Sequence, residues 1–253
     1  GKNAIKVQER VARKLGLYSA KVTTQIVPRE RYAEYIFQLA LLGATLEKIA
    51  IEIRNLQRTE IAEVSEHFKK GQMGSSAVPT KRNPIKSERI SSLSKLLRSQ
   101  ISTSFENIPL WHERDLSNSA NERFTLPMTS ILLDEMLETM IKVIENLQVD
   151  TKRVQENLHI TKGQIFAEFV LEALIKKGIP RFKAYRDVQR VAFAAHKKGI
   201  NFMDALGNDK VVSSALSDKE IKSIFVAQNH LGASLMIIDN VNSHVKANTK
   251  KIS

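Results

Sequence analysis

Tyr35, Leu39, Leu42, Leu46, Ile49, Ile53 and Leu56 fall at alternating spacings of four and three residues. This is an apolar seam of helical-bundle type, sustained over three heptads. Pro28 stands where a first-turn proline belongs, and Glu30 follows in the same turn. No proline interrupts residues 29–70, so the spacing predicts one helix of up to about 40 residues, roughly 60 Å long. Such a helix is too long for an ordinary compact domain and predicts an elongated bundle completed by other chains. Residues 71–84 hold two Gly, two Pro and small polar residues and read as a loop. Helical pattern resumes at Ile85, with Ile90, Leu93, Leu97 and Ile101 on one face. A second irregular stretch runs from about Asn107 to Thr125. Beyond it, Leu126, Leu133, Leu137, Met140, Ile144 and Leu147 form another seam. Residues 1–15 read as the end of a further helix, stopped near Gly16.

The texture changes at about residue 150. Shorter helices are expected over about 162–177, 180–197, 218–226 and 228–247, punctuated by Gly163, Gly178, Gly199 and Gly207. No period-2 alternation is sustained. The expectation is an all-α chain with two domains, 1–149 built on long helices and 150–253 a small helical domain.

Composition narrows the chemistry. The 253 residues are 42% hydrophobic and 26% charged, which is globular and argues against a disordered chain. Cysteine is absent, which removes disulfides, thiolate catalysis and Cys-ligated metal centres. No apolar run approaches the roughly 20 residues of a membrane span, and no signal-peptide core opens the chain. The 39 basic residues exceed the 27 acidic ones by 12. That excess fits nucleic acid, a membrane surface, an anionic small substrate or a well-solvated surface.

The 71–84 loop is the most informative segment. It sets Ser75 and Ser76 beside Gly74, then Lys81, Arg82 and Asn83, then Pro84 and a helix start. Hydroxyls, cations, an amide and the positive end of a helix in one small volume suit an anion, or a carbanion delocalised onto a carboxylate. By composition alone, a basic flexible loop is the commoner outcome.

The run Gly74-Ser75-Ser76-Ala77-Val78-Pro79-Thr80-Lys81-Arg82-Asn83-Pro84 resembles the signature loop of the fumarase/aspartase superfamily, whose members eliminate fumarate from succinyl-bearing substrates. It departs from the commonest form at Val78, where Met is usual, and at Thr80, where an aromatic residue, His or Gln is common. Neither position supplies the chemistry, so altered loop packing is the expected consequence. Trp111-His112-Glu113-Arg114-Asp115, with Ser119 and Arg123, resembles the nucleotide-holding segment of the adenylosuccinate lyase family. Two guanidinium forks and a hydroxyl suit a phosphate dianion. The alternative is a surface loop whose arginines pair with Glu113, Asp115 and Glu122. Thr23-Thr24-Gln25, Ser87-Glu88-Arg89 and the stretch from Gly163 through Ala184-Tyr185 and Val188-Gln189 to Leu216-Ser217 resemble further segments of that family. By this likeness, residues 1–149 are later helices of a central bundle and 150–253 its small C-terminal domain.

The resemblance implies roles. Ser75 is the general base that removes the Cβ proton of the succinyl group, supported by Lys81 and by the helix beginning near Pro84. Ser76, Lys81 and Asn83 hold the substrate carboxylate, Gln25 binds substrate, and Glu88 orients the catalytic groups. Arg89, Arg114, Ser119 and Arg123 grip an anionic nucleotide, with Arg29 a weaker candidate. The elimination also needs a general acid, a His in the family. None of His67, His112, His159, His196, His230 and His244 matches it. The chain alone is therefore expected to be inactive. The resemblance further implies a cytoplasmic homotetramer with no metal or organic cofactor and no membrane or nucleic-acid partner.

Three rivals stand beside it, one of them a purely structural oligomerisation fragment. Another lyase of the superfamily would act on argininosuccinate, malate, aspartate or a carboxymuconate, substrates without the phosphate that Arg114, Ser119 and Arg123 suit. A basic helical nucleic-acid-binding protein would use the charge excess and the Lys2, Lys6, Arg10, Arg13 and Lys14 cluster, with salt-sensitive affinity. Aromatic residues are only 6%, and no nucleic-acid module signature is visible.

Overall fold

The longest seam does form a helix, and small residues decide how it packs. The computed structural model describes residues 1–69 and 71–249. Helix α1 spans Ala4–Lys14 and α2 spans Glu30–Leu56. The buried face of α2 is Ala33, Ile36, Ala40, Gly43, Leu46, Ala50 and Ile53. It is rotated from the expected seam: Tyr35, Leu42 and Ile49 remain exposed, and only Leu46 and Ile53 are shared. Ala and Gly let a second helix approach closely. A Cβ at Gly43 would lie 2.4 Å from Leu97 Cδ2 on that neighbour.

The predicted 40-residue helix is shorter than expected. α2 has 27 residues and ends at Leu56. The next two seam positions are Glu60 and Glu63, so no further apolar burial rewards continuation. Ala62 turns the chain with φ 54°, and the Glu63 amide donates back to the Leu56 carbonyl at 3.1 Å. Strand β1, Val64–Ser65, then pairs antiparallel with β2, Gln148–Val149, in the register Val64↔Val149.

Helix α3, Ile85–Glu106, and α4, Ser119–Glu145, complete a three-helix layer with α2. The buried face of α3 is rich in serine, and Arg54 Nη1 on α2 donates to Ser91 Oγ at 3.0 Å. Ile90, Leu97, Leu133, Met136, Met140 and Val143 form its core with α2. The second irregular stretch is also shorter than expected, because α4 already starts at Ser119 and carries Pro127 within it.

The chain divides into two units, Gly1–Thr151 and Lys152–Ser253. The second contains α5 (Thr151–Leu158, opening at the boundary), α6 (Ala167–Lys176), α7 (Arg181–Lys198), α8 (Phe202–Gly207), α9 (Lys210–Ala215), α10 (Asp218–Ile224) and α11 (Ser234–Thr249). The expected helix over 162–177 opens as a short 3₁₀ turn, Gln164–Phe166. That over 228–247 separates into a 3₁₀ turn, Ala227–His230, and α11. Phe166, Val170, Leu174, Val188, Phe202 and Leu206 anchor the core of this unit. The fold class is all-α, as the periodicity implied.

A capping box starts α10. Ser217 Oγ accepts from the Glu220 amide, and the Glu220 carboxylate accepts from the Ser217 amide and hydroxyl. Lys177 Nζ lies 2.7 Å from the same carboxylate. Lys177 first, then the Ser217 donors, push the Glu220 carboxyl down from 4.5 to about 2. A lowered carboxyl pKa contributes stability that is present above 4.5 and is lost as pH falls toward 2. Glu220→Gln is therefore expected to flatten the acid limb of the unfolding profile in that window. Identical acid sensitivity of the two proteins in circular-dichroism melts would contradict it.

Candidate active site

The 71–84 loop folds as a ring. Asn83 Nδ2 donates to the Gly74 carbonyl at 3.0 Å, closing the loop across its base. Gly74 is needed for that closure, because a Cβ there would stand 2.0 Å from the Lys81 carbonyl oxygen. Inside the ring, Ser75 Oγ accepts from the Ala77 amide at 3.3 Å and the Val78 amide at 3.2 Å. Donors aimed at a hydroxyl oxygen favour its deprotonated form. Ser75 is half-buried, whereas Ser76, Lys81 and Arg82 are exposed, and the Arg82 guanidinium lies 5.6 Å over the Phe68 ring.

One expectation about this loop is corrected. The N-terminus of α3 does not offer free donors to Ser75. Glu66, buried at 8% exposure, fills it: its carboxylate accepts from the Lys86 amide at 3.2 Å and from the Ser87 amide and hydroxyl at 2.7 Å each. The amides directed at Ser75 Oγ are those of Ala77 and Val78 in the loop itself, not those of α3.

Glu88 and Arg89 lie in the first turns of α3, both exposed. Arg89 Nη2 is 2.6 Å from Glu135 Oε1 on α4, a solvent-open pair of the kind that contributes about 0–1 kcal/mol. The 111–117 turn is organised by Asp115, whose carboxylate accepts from the Trp111 and Ser117 amides at 2.7 Å each. The Ser117 hydroxyl first, then these amides, hold the Asp115 carboxyl below its usual range. Glu122 pairs with Arg29 at 2.9 Å, both side chains largely buried and off the line of a hydrogen bond. So two of the three acids proposed as surface-loop partners are engaged elsewhere. Among the described residues, neither Arg114 nor Arg123 is in an ion pair, and both are exposed. Arg29, by contrast, is committed to Glu122, to the Val27 carbonyl and to the Tyr32 face, so it is not a free nucleotide ligand.

Gln25 is exposed on the segment between α1 and α2, where Thr24 Oγ1 donates to the Ile26 carbonyl at 3.1 Å. Ser119 opens α4, with its amide donating to the Leu116 carbonyl. The structure thus unites Ser75, Lys81 and Asn83 in one ring, and Arg114, Ser119 and Arg123 on one turn-to-helix segment. Among the described residues no hydrogen bond or ion pair joins the two sets directly. His112 is exposed with φ 51°, well suited to a turn. Gln57, Glu66 and Glu122 carry no motif in the sequence and emerge only from tertiary contacts.

The charge excess is uneven. Residues 1–151 hold 22 basic against 18 acidic side chains, and residues 152–253 hold 17 against 9. Most of the surplus therefore lies outside the candidate site. The C-terminal unit also contains a cavity of about 470 Å3 between α6 and α7, lined by Leu171, Tyr185, Val188, Ala192 and Phe193 and by none of the candidate site residues.

Known proteins match along the whole length. The family described as "Lyase" matches residues 2–96, and the one described as "Adenylosuccinate lyase C-terminus" matches residues 163–241. Adenylosuccinate lyase of Pyrococcus abyssi is 41% identical over 97% of this chain, and that of Synechocystis 45% identical over 89%. This chain belongs to the adenylosuccinate lyase family. It spans about half the length of these relatives, 54% and 53%. The adenylosuccinate lyase family shares its fold with other fumarase/aspartase-type enzymes. A 3-carboxy-cis,cis-muconate lactonizing enzyme from Pseudomonas putida matches with TM-score 0.84 at 26% identity, over 98% of this chain and 54% of its own. A fumarate lyase from Mesorhizobium sp. BNC1 matches with TM-score 0.83 at 25% identity, over 95% of this chain and 53% of its own. No helix among the described residues is long and apolar enough to cross a membrane.

Proposed function

We propose that this chain supplies the general base and part of the nucleotide site of an adenylosuccinate lyase. Ser75, as the alkoxide, takes the Cβ proton of the succinyl group. The electron pair moves into the adjacent carboxylate, which Ser76, Lys81 and Asn83 hold as the aci-carboxylate. Collapse of that intermediate breaks the C–N bond, and fumarate leaves as the amine is protonated. The products are AMP from adenylosuccinate and the aminoimidazole carboxamide ribotide from its succinyl precursor. The observation that carries this reading is the pair of amide donors on Ser75 Oγ inside a ring that also carries Lys81 and Asn83. Glu88 orients the catalytic groups, and Gln25 binds substrate. Arg89, Arg114, Ser119 and Arg123 take the nucleotide, whose phosphate matches the Arg114 and Arg123 guanidinium groups, in no ion pair among the described residues, better than a phosphate-free substrate would.

The general acid comes from outside this chain, so the chain alone releases no fumarate. The working species is a cytoplasmic homo-oligomer. Its support is the row of large apolar side chains left exposed on the long helices, Tyr35 at 46% and Ile49 at 39% on α2 and Ile131 at 67% on α4. Light scattering is expected to report an assembly larger than one chain.

A chimera tests the substrate. This chain replaces the corresponding half of the Synechocystis relative, and fumarate release is followed by ultraviolet absorbance. Turnover is expected with adenylosuccinate and not with argininosuccinate, malate or aspartate. Arg114→Ala is expected to raise KM for adenylosuccinate by about 10- to 100-fold, the loss of a charge-assisted contact of roughly 1.5–3 kcal/mol. Turnover of a phosphate-free substrate in preference to adenylosuccinate, or an unchanged KM, would overturn the assignment.

A further inference from the structure

The Ser75 ring is exposed, so something must fix its position relative to the helices that carry the remaining groups. Asn83 closes the ring on itself but does not attach it to the helical layer. The chain itself carries the ring into α3 at Ile85, and a side-chain attachment to α2 runs through Gln57, the C-cap residue that follows Leu56. Gln57 Nε2 donates to the Arg82 carbonyl at 3.1 Å, and Gln57 Oε1 accepts from the Glu66 amide at 2.9 Å. Glu66 in turn holds the first amides of α3 with its carboxylate. One side chain therefore ties the C-terminal stem of the ring to the end of α2, and through Glu66 to the start of α3. Phe68, two residues beyond Glu66, supports the same stem, lying under Arg82 and within 3.0 Å of where a Gly74 Cβ would be.

We propose that Gln57 is a positioning residue for the Ser75 loop, setting Lys81 and Asn83 in register with Glu88 and Arg89 on α3. The inference rests on the lyase reading for its functional meaning, but its geometry is independent of that reading. The position requires one donor and one acceptor on the same planar group. Glutamate keeps an acceptor for Glu66 and loses the donor for Arg82, and leucine loses both. The two arms can therefore be separated.

The test uses the chain as it is. Trypsin cleaves after Arg82, and cleavage follows the population in which the stem has opened. Gln57→Glu is expected to speed cleavage of the Arg82–Asn83 bond about tenfold, while hydrogen exchange of the Glu66 amide stays slow. Gln57→Leu is expected to speed both about tenfold, with helicity by circular dichroism retained in both variants. In the chimera, Gln57→Glu is expected to lower kcat while KM for adenylosuccinate stays within about twofold, because the base is displaced and the nucleotide contacts are not. Unchanged cleavage at Arg82 in both variants overturns the proposal. So does a Gln57→Glu protein in which cleavage and Glu66 exchange accelerate together, since that is general loosening. If Ser75→Ala leaves turnover intact, the lyase reading fails while the cleavage result still decides the structural role of Gln57. If turnover depends on Ser75 and Gln57→Glu leaves kcat unchanged, Gln57 alone loses its role.

Discussion

Ser75→Ala is expected to lower kcat for fumarate release by about a thousandfold or more while adenylosuccinate still binds. The ring brings two amide N–H groups to the Ser75 oxygen, and Lys81 lies in the same ring. Alanine removes the only atom on which those donors and the substrate proton converge. It also leaves the Ala77 and Val78 amides without that acceptor. They lie at exposed positions where water can replace it, so the structural cost is small beside the chemical one. Ser76→Ala is the internal control. Ser76 is exposed and is assigned to the carboxylate in substrate and aci-carboxylate alike, so its loss should raise KM and lower kcat, the latter by far less than loss of the base. The chimera supplies the rates, and calorimetric titration with adenylosuccinate supplies the affinity. Near-normal turnover of Ser75→Ala would remove Ser75 as the base.

Gly74→Ala is expected to cost about a hundredfold in kcat, with little change in the melting of the helical layer. The new methyl group would stand 2.0 Å from the Lys81 carbonyl oxygen and 3.0 Å from the Phe68 ring. The first of these neighbours is backbone and cannot swing aside, so the ring must open. Opening it separates Ser75 from Lys81 and Asn83, and a displacement of about 1 Å in a catalytic group is enough for a loss of that size. The core lies elsewhere, in Ile90, Leu97, Leu133 and Met136, so stability is largely spared. A Gly74→Ala chimera with full kcat, or one whose core melting collapses, would show that the ring is not what Gly74 serves.

The sequence made some of this legible and hid the rest for identifiable reasons. The existence of α2, α3 and α4 follows from seams at spacings of three and four, because that periodicity is local. The faces they bury do not follow, because burial depends on the partner helix. Ala40, Gly43 and Ala50 are inside since α3 comes close there, while Tyr35 and Leu42 stay outside. α2 ends before the proline-free stretch does, because the absence of proline does not sustain a helix and seam positions 60 and 63 are glutamates. In the site, Ser75, Lys81 and Asn83 lie within nine positions of one another and carry a motif. Glu66, which holds the start of α3, and Glu122, which occupies Arg29, act across 20 and 93 positions of sequence and have no local signature. The charge, by contrast, is legible by counting: of the surplus of 12, residues 1–151 hold 4 (22 basic against 18 acidic) and residues 152–253 hold 8 (17 against 9).

The central proposal is that this chain carries the base of the elimination and that the acid comes from outside it. The most direct measurement is fumarate release from adenylosuccinate by the purified chain and, under the same conditions, by the chimera that joins it to the other half of the Synechocystis relative. No release by the chain and Ser75-dependent release by the chimera are the predicted result. Turnover by the chain alone at the rate of the chimera, or a folded, assembled chimera that releases no fumarate, would contradict it.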